Sequence, residues 1–338
     1  MDLAAPPTPS PGPTPGHQRR HRRTRWLTAL CWVLAVPGLV WAVVRYVGLE
    51  RGPLVQLLAF TPYVAAWTLV PLSLALALRR WWPAGVAAVA ALALAGAVLP
   101  RALPDHRPGG AGPELRVLTA NLLAGSADPA ALVGIVRTHR VDVLALQEFT
   151  PDAAAGLDRA GLAELLPHRH LNPEVGTTGS ALYARFPLRD GGVRRNDGGF
   201  TQVHATVLPP DGPAVFVESV HPMAPYSLGT VPDWRTDLHA QQPATPHGPL
   251  RILAGDFNAT LDHAALRRLL DTGYVDAAAA VGTGLVGTWG PYDGDPIPPV
   301  TIDHVLVDRR IAVRRAAVRP LPGSDHRAVL AELALPAA

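Results

Sequence analysis

Asp256 and Asn258 stand two residues apart at the end of a short apolar run, in the stretch Arg251-Ile-Leu-Ala-Gly-Asp-Phe-Asn-Ala-Thr260. Ile252, Leu253 and Ala254 predict a buried strand, and Gly255 predicts a turn that lets two polar side chains leave the sheet at its carboxyl end. Side chains alternate past Phe257, so both can point to one side. A carboxylate and an amide so placed can hold and deprotonate a water beside a phosphate, which neither Leu nor Ser could do. The plainer alternative is a strand running into an Asx-turn and a helix cap after Thr260.

Six further residues stand at a strand end or beside a Gly or Pro break: Asn121, Glu148, His221, Asp303, Asp325 and His326. Each alone has an ordinary explanation. Asn121 and Asp325 could cap turns, Glu148 could be solvated, and His221 could be a core histidine against Pro222. His304 follows Asp303 directly and belongs on the opposite face of its strand, so it is read as structural.

The elements that would position these residues are α/β in character. Residues 114–120 predict a strand ending at Asn121, and Asp128-Pro129 predicts a capped helix to about His139. Residues 141–146 predict a second strand ending in Gln147-Glu148, and Thr150-Pro151 opens a helix to about Leu166. Chemistry at the carboxyl ends of strands is how α/β folds build sites. Further on, residues 179–184, 202–208 and 214–220 predict strands, the last two joined as an antiparallel hairpin across Pro209-Pro-Asp-Gly212. Residues 262–270 predict a short helix. Residues 301–307, 310–318 and 326–333 predict the closing strands.

The amino-terminal third is of another kind. Residues 1–18 are rich in Pro, and with the Arg-rich stretch 19–25 they predict a disordered tail. Three uncharged apolar runs follow, residues 26–44, 54–78 and 81–99, each of spanning length, with Trp26, Trp41, Trp81 and Trp82 near their ends. Five Arg in the amino-terminal flank and the Arg79-Arg80 turn place those flanks in the cytoplasm. Three crossings then put the rest of the chain outside. Residues 100–113 predict a linker.

Charge divides at the same place. All 30 basic residues are Arg; 11 of them with three acidic residues precede Gly112, a balance of +8, and 19 against 24 follow it, a balance of −5. An acidic domain argues against a duplex-binding face. The single cysteine, Cys31, allows no internal disulfide.

Taken in order, the motifs resemble the endonuclease/exonuclease/phosphatase superfamily, which includes DNase I, apurinic endonucleases, sphingomyelinases and inositol polyphosphate phosphatases. The matching segments are Thr119-Ala-Asn121, Leu146-Gln-Glu148, Ser180-Ala-Leu-Tyr-Ala-Arg-Phe-Pro187, Ser219-Val-His221, Ala254-Gly-Asp-Phe-Asn258, Ile302-Asp-His-Val305 and Ser324-Asp-His326. The resemblance implies a four-layer α/β sandwich over residues 114–338 and a divalent-metal phosphoesterase. It implies that Glu148 is the main Mg²⁺ ligand, with Asn121 and Asp325 near the metal and Mn²⁺ as a substitute. It also implies that Asp256 orients or deprotonates the attacking water and that Asn258 holds it or a phosphate oxygen. Asp303 would pair with His326 and favour its imidazolium, and His221 would be a second phosphate-side donor. The chemistry implied is in-line attack by water. Leu123 stands where many relatives have an acidic residue, which favours one metal.

The three runs with this domain outside resemble the membrane-anchored actinomycete type that confers teicoplanin resistance, the VanJ type. That implies a lipid-linked phosphate substrate such as undecaprenyl pyrophosphate, a bilayer as partner, and a role in envelope-antibiotic resistance. The alternatives are an extracellular nuclease or sphingomyelinase-like phosphodiesterase, and a sensor built on a dead hydrolase. Retention of Glu148 and His326 argues against the last.

Overall fold

A computed structural model describes residues 15–105, 112–290 and 297–337, so the first 14 residues of the tail and positions 106–111 of the linker lie outside the described residues. The chain forms two compact units.

The first unit takes helix α1 (Pro15–Val47) up to Val43 together with Tyr63–Ala95. Helix α1 begins at Pro15, so the Arg-rich stretch 19–25 is helical, as suits Arg with a Pro at the first turn. Among the described residues two helices are long and apolar enough to cross a membrane, Arg23–Val47 and Trp81–Ala102. The run at 54–78 is not one helix. It divides into α2 (Leu54–Leu58), α3 (Thr61–Trp67) and α4 (Leu69–Ala77), of which Thr61–Ala77 is apolar but shorter than a span. The reason is local. Pro62 and Pro71 lack the amides that would continue the ladder, and the Thr61 hydroxyl takes the Leu58 carbonyl at 2.7 Å. Helix α5 (Trp81–Val98) is unbroken, and Ala84 on it belongs to a small core with Cys31 and Ala75.

The second unit takes residues 44–62 and continues from Gly96. After a 3-10 turn at Leu99–Ala102, β1 (Glu114–Asn121) leads through α6 (Pro129–His139) to β2 (Val143–Gln147), then α7 (Pro151–Arg159), α8 (Leu162–Leu165), β3 (His168–Asn172) and β4 (Ser180–Ala184). Next come β5 (Leu188–Arg195), β6 (Thr201–Val207), β7 (Val215–Val220), α9 (Val231–His239), β8 (Leu250–Asp256) and α10 (Ala264–Asp271). Strand β9 (Tyr274–Asp276), α11 (Ala277–Ala280), β10 (Asp303–Asp308), β11 (Ala312–Arg319) and β12 (Ala328–Ala334) complete it.

These make two six-stranded sheets, ordered β11-β12-β1-β2-β4-β3 and β5-β6-β7-β8-β10-β9. Their facing sides interdigitate through Leu115, Val117, Val143, Leu182, Val203, Val217, Ile252 and Val305, all buried. Each such side chain contributes about 1.5–3 kcal/mol on leaving water. Outside the first sheet Leu118, Leu144, Val136 and Leu157 pack α6 and α7; outside the second Trp234, Phe257 and Leu266 pack α9 and α10. The architecture is helix, sheet, sheet, helix, the expected four layers.

The caps act as their sequences predict. Asp128 accepts from Ala130 N at 2.8 Å, and Thr150 from Ala153 N at 3.2 Å. The helix opened by Thr150 stops sooner than expected and restarts after Gly161 in the left-handed region. Residues 99–105 are not a free linker: Arg101 is buried, and the Asp105 amide donates to the Ala280 carbonyl at 2.8 Å. Gly255 makes no turn. It lies inside β8, where an added Cβ would meet the Val220 carbonyl oxygen at 2.0 Å, so its role is close strand approach.

Candidate active site

Both sheets deliver their functional residues to one edge. Strand β1 ends at Asn121 beside β2, in parallel register with Gln147, which places Glu148 next to it. In the other sheet Val220 is level with Gly255 across parallel β7 and β8, so His221 falls level with Asp256. Asp303 lies directly opposite Asp256 on antiparallel β10. The turn before β12 brings Asp325 and His326, fixed by the Ser324 hydroxyl, which donates to the Asn121 carbonyl (2.9 Å) and accepts from the His326 amide (3.0 Å).

The contacts are specific. The Asn121 side-chain Nδ2 donates to Glu148 Oε1 at 3.2 Å and to Asp256 Oδ2 at 3.0 Å, bridging the two sheets. Glu148 Oε2 also accepts from the Ala124 amide at 2.5 Å, and Asp256 Oδ1 from the Asn258 amide at 2.8 Å. His326 Nδ1 lies 2.9 Å from Asp303 Oδ2. Its Nε2 faces Asp256 Oδ2 at 3.6 Å, and His221 Nε2 faces the same oxygen at 3.7 Å. Both distances exceed a hydrogen bond, so Asp256 Oδ2 is flanked by two imidazoles without being bonded to either.

Asn258 donates from Nδ2 to the Pro222 carbonyl at 3.1 Å, so in this structure its amide braces the loop after β7. Asp325 is half-exposed and accepts from the Trp289 indole at 2.9 Å, grouping with Trp289 and His326 rather than with Glu148. His304 points away: it lies 2.8 Å from Asp276 Oδ2 and 2.9 Å from the Ala259 carbonyl, both on the far side of β10. Four residues here, Leu123, Ala124, Glu148 and Asn258, hold positive φ without being glycine. Such backbone costs on the order of 1–2 kcal/mol per residue, and its concentration here marks the loops as shaped for the site.

Charge follows from burial and neighbours. Burial works against a charged His326, but the carboxylates of Asp303 and Asp256 overrule it and lift the imidazole to about 10, so it is an imidazolium at neutral pH. His221 goes the other way: buried, with Phe200 packed edge-on at 4.5 Å, it falls to about 4 and stays neutral. Burial raises Glu148 and Asp256 above the ordinary carboxylate range, and the charge of Asp256 raises Glu148 further against its two hydrogen bonds.

Ligating atoms of Asp256, Asp303 and His326 all lie within 4.8 Å of one another. An imidazolium cannot ligate, so His326 in this state is a donor to substrate. Outside that group, Glu148, joined to Asp256 through the Asn121 amide, is the oxygen donor that suits a hard divalent cation, whose charge would relieve the penalty that burial puts on it.

Residues 118–326 match the endonuclease/exonuclease/phosphatase family. The chain belongs to that family. Its members hydrolyse phosphate esters and typically use a divalent metal. Among solved structures, the chain is similar to an endonuclease/exonuclease/phosphatase from Beutenbergia cavernae at 19% identity, over 66% of this chain and 72% of that one, with a TM-score of 0.53. It is also similar to D. rerio TDP2 complexed with single-strand DNA product (16%, 65% and 98%, 0.52) and to truncated Caenorhabditis elegans TDP2 (20%, 65% and 98%, 0.50). At these identities the likeness concerns the fold. No curated protein matches.

A second polar cluster, which the motifs did not reveal, joins residues 260–265 to segments that precede the matched span. Asp262, four residues after Asn258, is fully buried and holds two guanidinium groups: Arg45 Nε at 2.6 Å, from the last turn of α1, and Arg101 Nη1 at 2.7 Å. Burial opposes its charge, but the two Arg hold its carboxyl below the ordinary range. Glu50 accepts from the amides of Ala264 and Ala265, capping α10, the second of these at 3.2 Å. His263 Nδ1 accepts from the Thr260 amide at 2.8 Å, so Nε2 carries the proton and donates to the Val55 carbonyl at 2.8 Å. The only trace in sequence was a few charges at the ends of apolar runs, which also serve to set topology. Thr288 was equally silent: its hydroxyl accepts from the amides of Ile302 and Asp303, both at 3.0 Å, and so sets the start of β10.

Proposed function

We propose that this chain is a membrane-anchored, outward-facing phosphohydrolase whose substrate is a lipid-linked phosphate or pyrophosphate such as undecaprenyl pyrophosphate. The observation that carries the reading is the buried clamp of Arg45 and Arg101 on Asp262. It ties the loop bearing Asp256 and Asn258 to the ends of the two long apolar helices. A catalytic domain whose chain passes so directly into apolar helices would work at a bilayer surface, where the phosphate of a lipid also lies. Spans at 26–44 and 81–99, a third crossing by the kinked apolar stretch Thr61–Ala77 in place of the whole run 54–78, a cytoplasmic amino terminus and an extracellular catalytic domain belong to this reading. So does a part in teicoplanin-type envelope resistance.

In the mechanism, Glu148, oriented by Asn121, would hold Mg²⁺ or Mn²⁺, which when bound supplies charge neutralisation at the phosphate, while Asp325 stays with Trp289 and His326. Asp256, raised by burial and steered by the Asn258 and Asn121 hydrogen bonds, orients a water in line with phosphorus and takes its proton. His326, kept cationic by Asp303, donates to the phosphate oxygens as charge develops, and neutral His221 offers a second donor from the other flank.

The second reading is an extracellular nuclease or sphingomyelinase-like phosphodiesterase, favoured by the likeness to a TDP2 structure holding a DNA product. The −5 balance of the catalytic part weighs against it. Phosphate or headgroup release by the detergent-solubilised full chain decides, with undecaprenyl pyrophosphate, sphingomyelin, inositol phosphates and single-stranded DNA compared with and without Mg²⁺. Metal-dependent release from the polyprenyl substrate is expected. Preferential cleavage of DNA or sphingomyelin would replace the first reading with the second.

A further inference from the structure

Two loops each join a residue of the site to the segments that follow or close the apolar runs. The first, residues 222–230, leaves His221. Its Pro222 carbonyl is held by Asn258, its Pro225 carbonyl accepts from Gln56 Nε2 at 2.7 Å, and the Leu228 side chain lies against Gly52. The second, residues 282–289, starts beside Leu103 and Pro104, with the Gly284 amide donating to the Arg101 carbonyl at 3.0 Å. It ends at Thr288 and Trp289, which fix Asp303 and Asp325.

Between their anchored ends both loops turn apolar side chains outward. Tyr226 is 76% and Leu228 62% exposed; Leu285 and Val286 are 39% and 42% exposed. Apolar area left in water forgoes about 25 cal/mol per Å², and such exposure in two loops that each end at a residue of the polar site is not what a fully water-soluble substrate needs.

We propose that the two loops form a gutter for the hydrocarbon chain of the substrate. The phosphate sits at Asp256, His326 and His221, and the chain leaves between Tyr226 and Leu228 on one side and Leu285 and Val286 on the other. It runs toward residues 52–57 and 99–103, the segments that adjoin the apolar helices. The occupant is a single long apolar chain carrying a phosphate or pyrophosphate. This rests on the phosphohydrolase reading and adds how the lipid part is recognised.

The test uses the full chain in neutral detergent, with the paired variants Tyr226→Ser/Leu228→Ser and Leu285→Ser/Val286→Ser. Substrates are a long-chain polyprenyl pyrophosphate and a short, water-soluble one. Each pair is expected to lower kcat/KM for the long chain by about tenfold or more, through KM, while the short substrate changes less than about twofold. Equal losses on both substrates, or no loss on either, would overturn the gutter. Binding without turnover gives an independent arm, since Cys31 is buried and Tyr226→Cys can carry an environment-sensitive fluorophore. A long-chain alkyl phosphonate should blue-shift it and methyl phosphonate should not; silence toward both would also overturn the proposal. If the unmodified chain releases phosphate from neither pyrophosphate, the proposed function fails, and the fluorescence alone then judges the gutter.

Discussion

Asp303 and His326 show how two residues settle a charge through geometry. Nδ1 is committed to Asp303, so the proton offered to substrate sits on Nε2, facing Asp256. The rate should therefore fade as pH rises through the raised value of about 10, and Asp303→Asn should bring that limb down toward the ordinary His range while lowering the maximal rate. His304→Ala should leave the pH profile in place and lower only the melting temperature, because its partners are Asp276 and Ala259. A matching loss in both variants would mean that the wrong histidine carries the proton. Stability should follow the same two groups. The His326 contribution is complete below its unfolded value, about 6.5, and is lost as pH climbs toward 10. His221, buried neutral at about 4, acts oppositely: the unfolded chain takes up a proton first, so stability drains as pH falls from about 6.5 toward 4. Melting temperature against pH should trace a dome between those limits. For Glu148, EDTA should abolish activity, and Glu148→Gln should reduce it on the order of 100-fold or more while circular dichroism stays unchanged. Full activity in the Gln variant would remove Glu148 from the metal.

At the scale of elements, β8 depends on one missing side chain. Gly255→Ala drives a methyl group into the Val220 carbonyl, backbone against rigid backbone, so β7 and β8 must part where His221 and Asp256 leave them. Activity should fall below detection, and the protein should melt lower or fail to accumulate; wild-type kinetics from this variant would show that the sheet gives way cheaply. The strands that carry chemistry were legible because they are short apolar runs ending in one polar residue, as at Asn121, Glu148 and Asp256. Helices α6 and α7 were legible from Asp128 and Thr150. Strands β3 and β5, His-Arg-His-Leu-Asn and Leu-Arg-Asp-Gly-Gly-Val-Arg-Arg, were not, since edge strands carry charge where a core strand carries Val or Leu. Asp262 was read as a helix residue. It precedes α10, whose amino end is capped by Glu50 from more than 200 residues away, and no local pattern can report a partner so distant.

For the whole molecule, Arg45 and Arg101 carry a lesson about topology. Both count toward the outward flanks in a tally of positive charge, yet both are spent on Asp262. On the proposed topology, the bias toward a cytoplasmic amino terminus is thus larger than the raw tally. Alkaline phosphatase fused after Ala338 should be active, and a bright cytoplasmic fluorescent fusion at the same point would reverse the orientation. Asp262→Ala in the full chain leaves two guanidinium groups buried without their carboxylate and should cost about 3–5 kcal/mol, read as a lowered melting temperature in detergent. No change would mean that the clamp is dispensable. Arg45 and Arg101 precede Asp262 by 217 and 161 residues, and that separation fixes an order in time. Arg45 and Arg101 are synthesised long before Asp262 exists, so the loop beyond Asn258 closes onto them only after most of the catalytic domain has been made. Completion of the active-site edge and seating of the helix ends then become one late event. A chain stalled before it would lack the carboxylate that pairs both guanidinium groups, so the helix ends and the active-site edge would stay unjoined together.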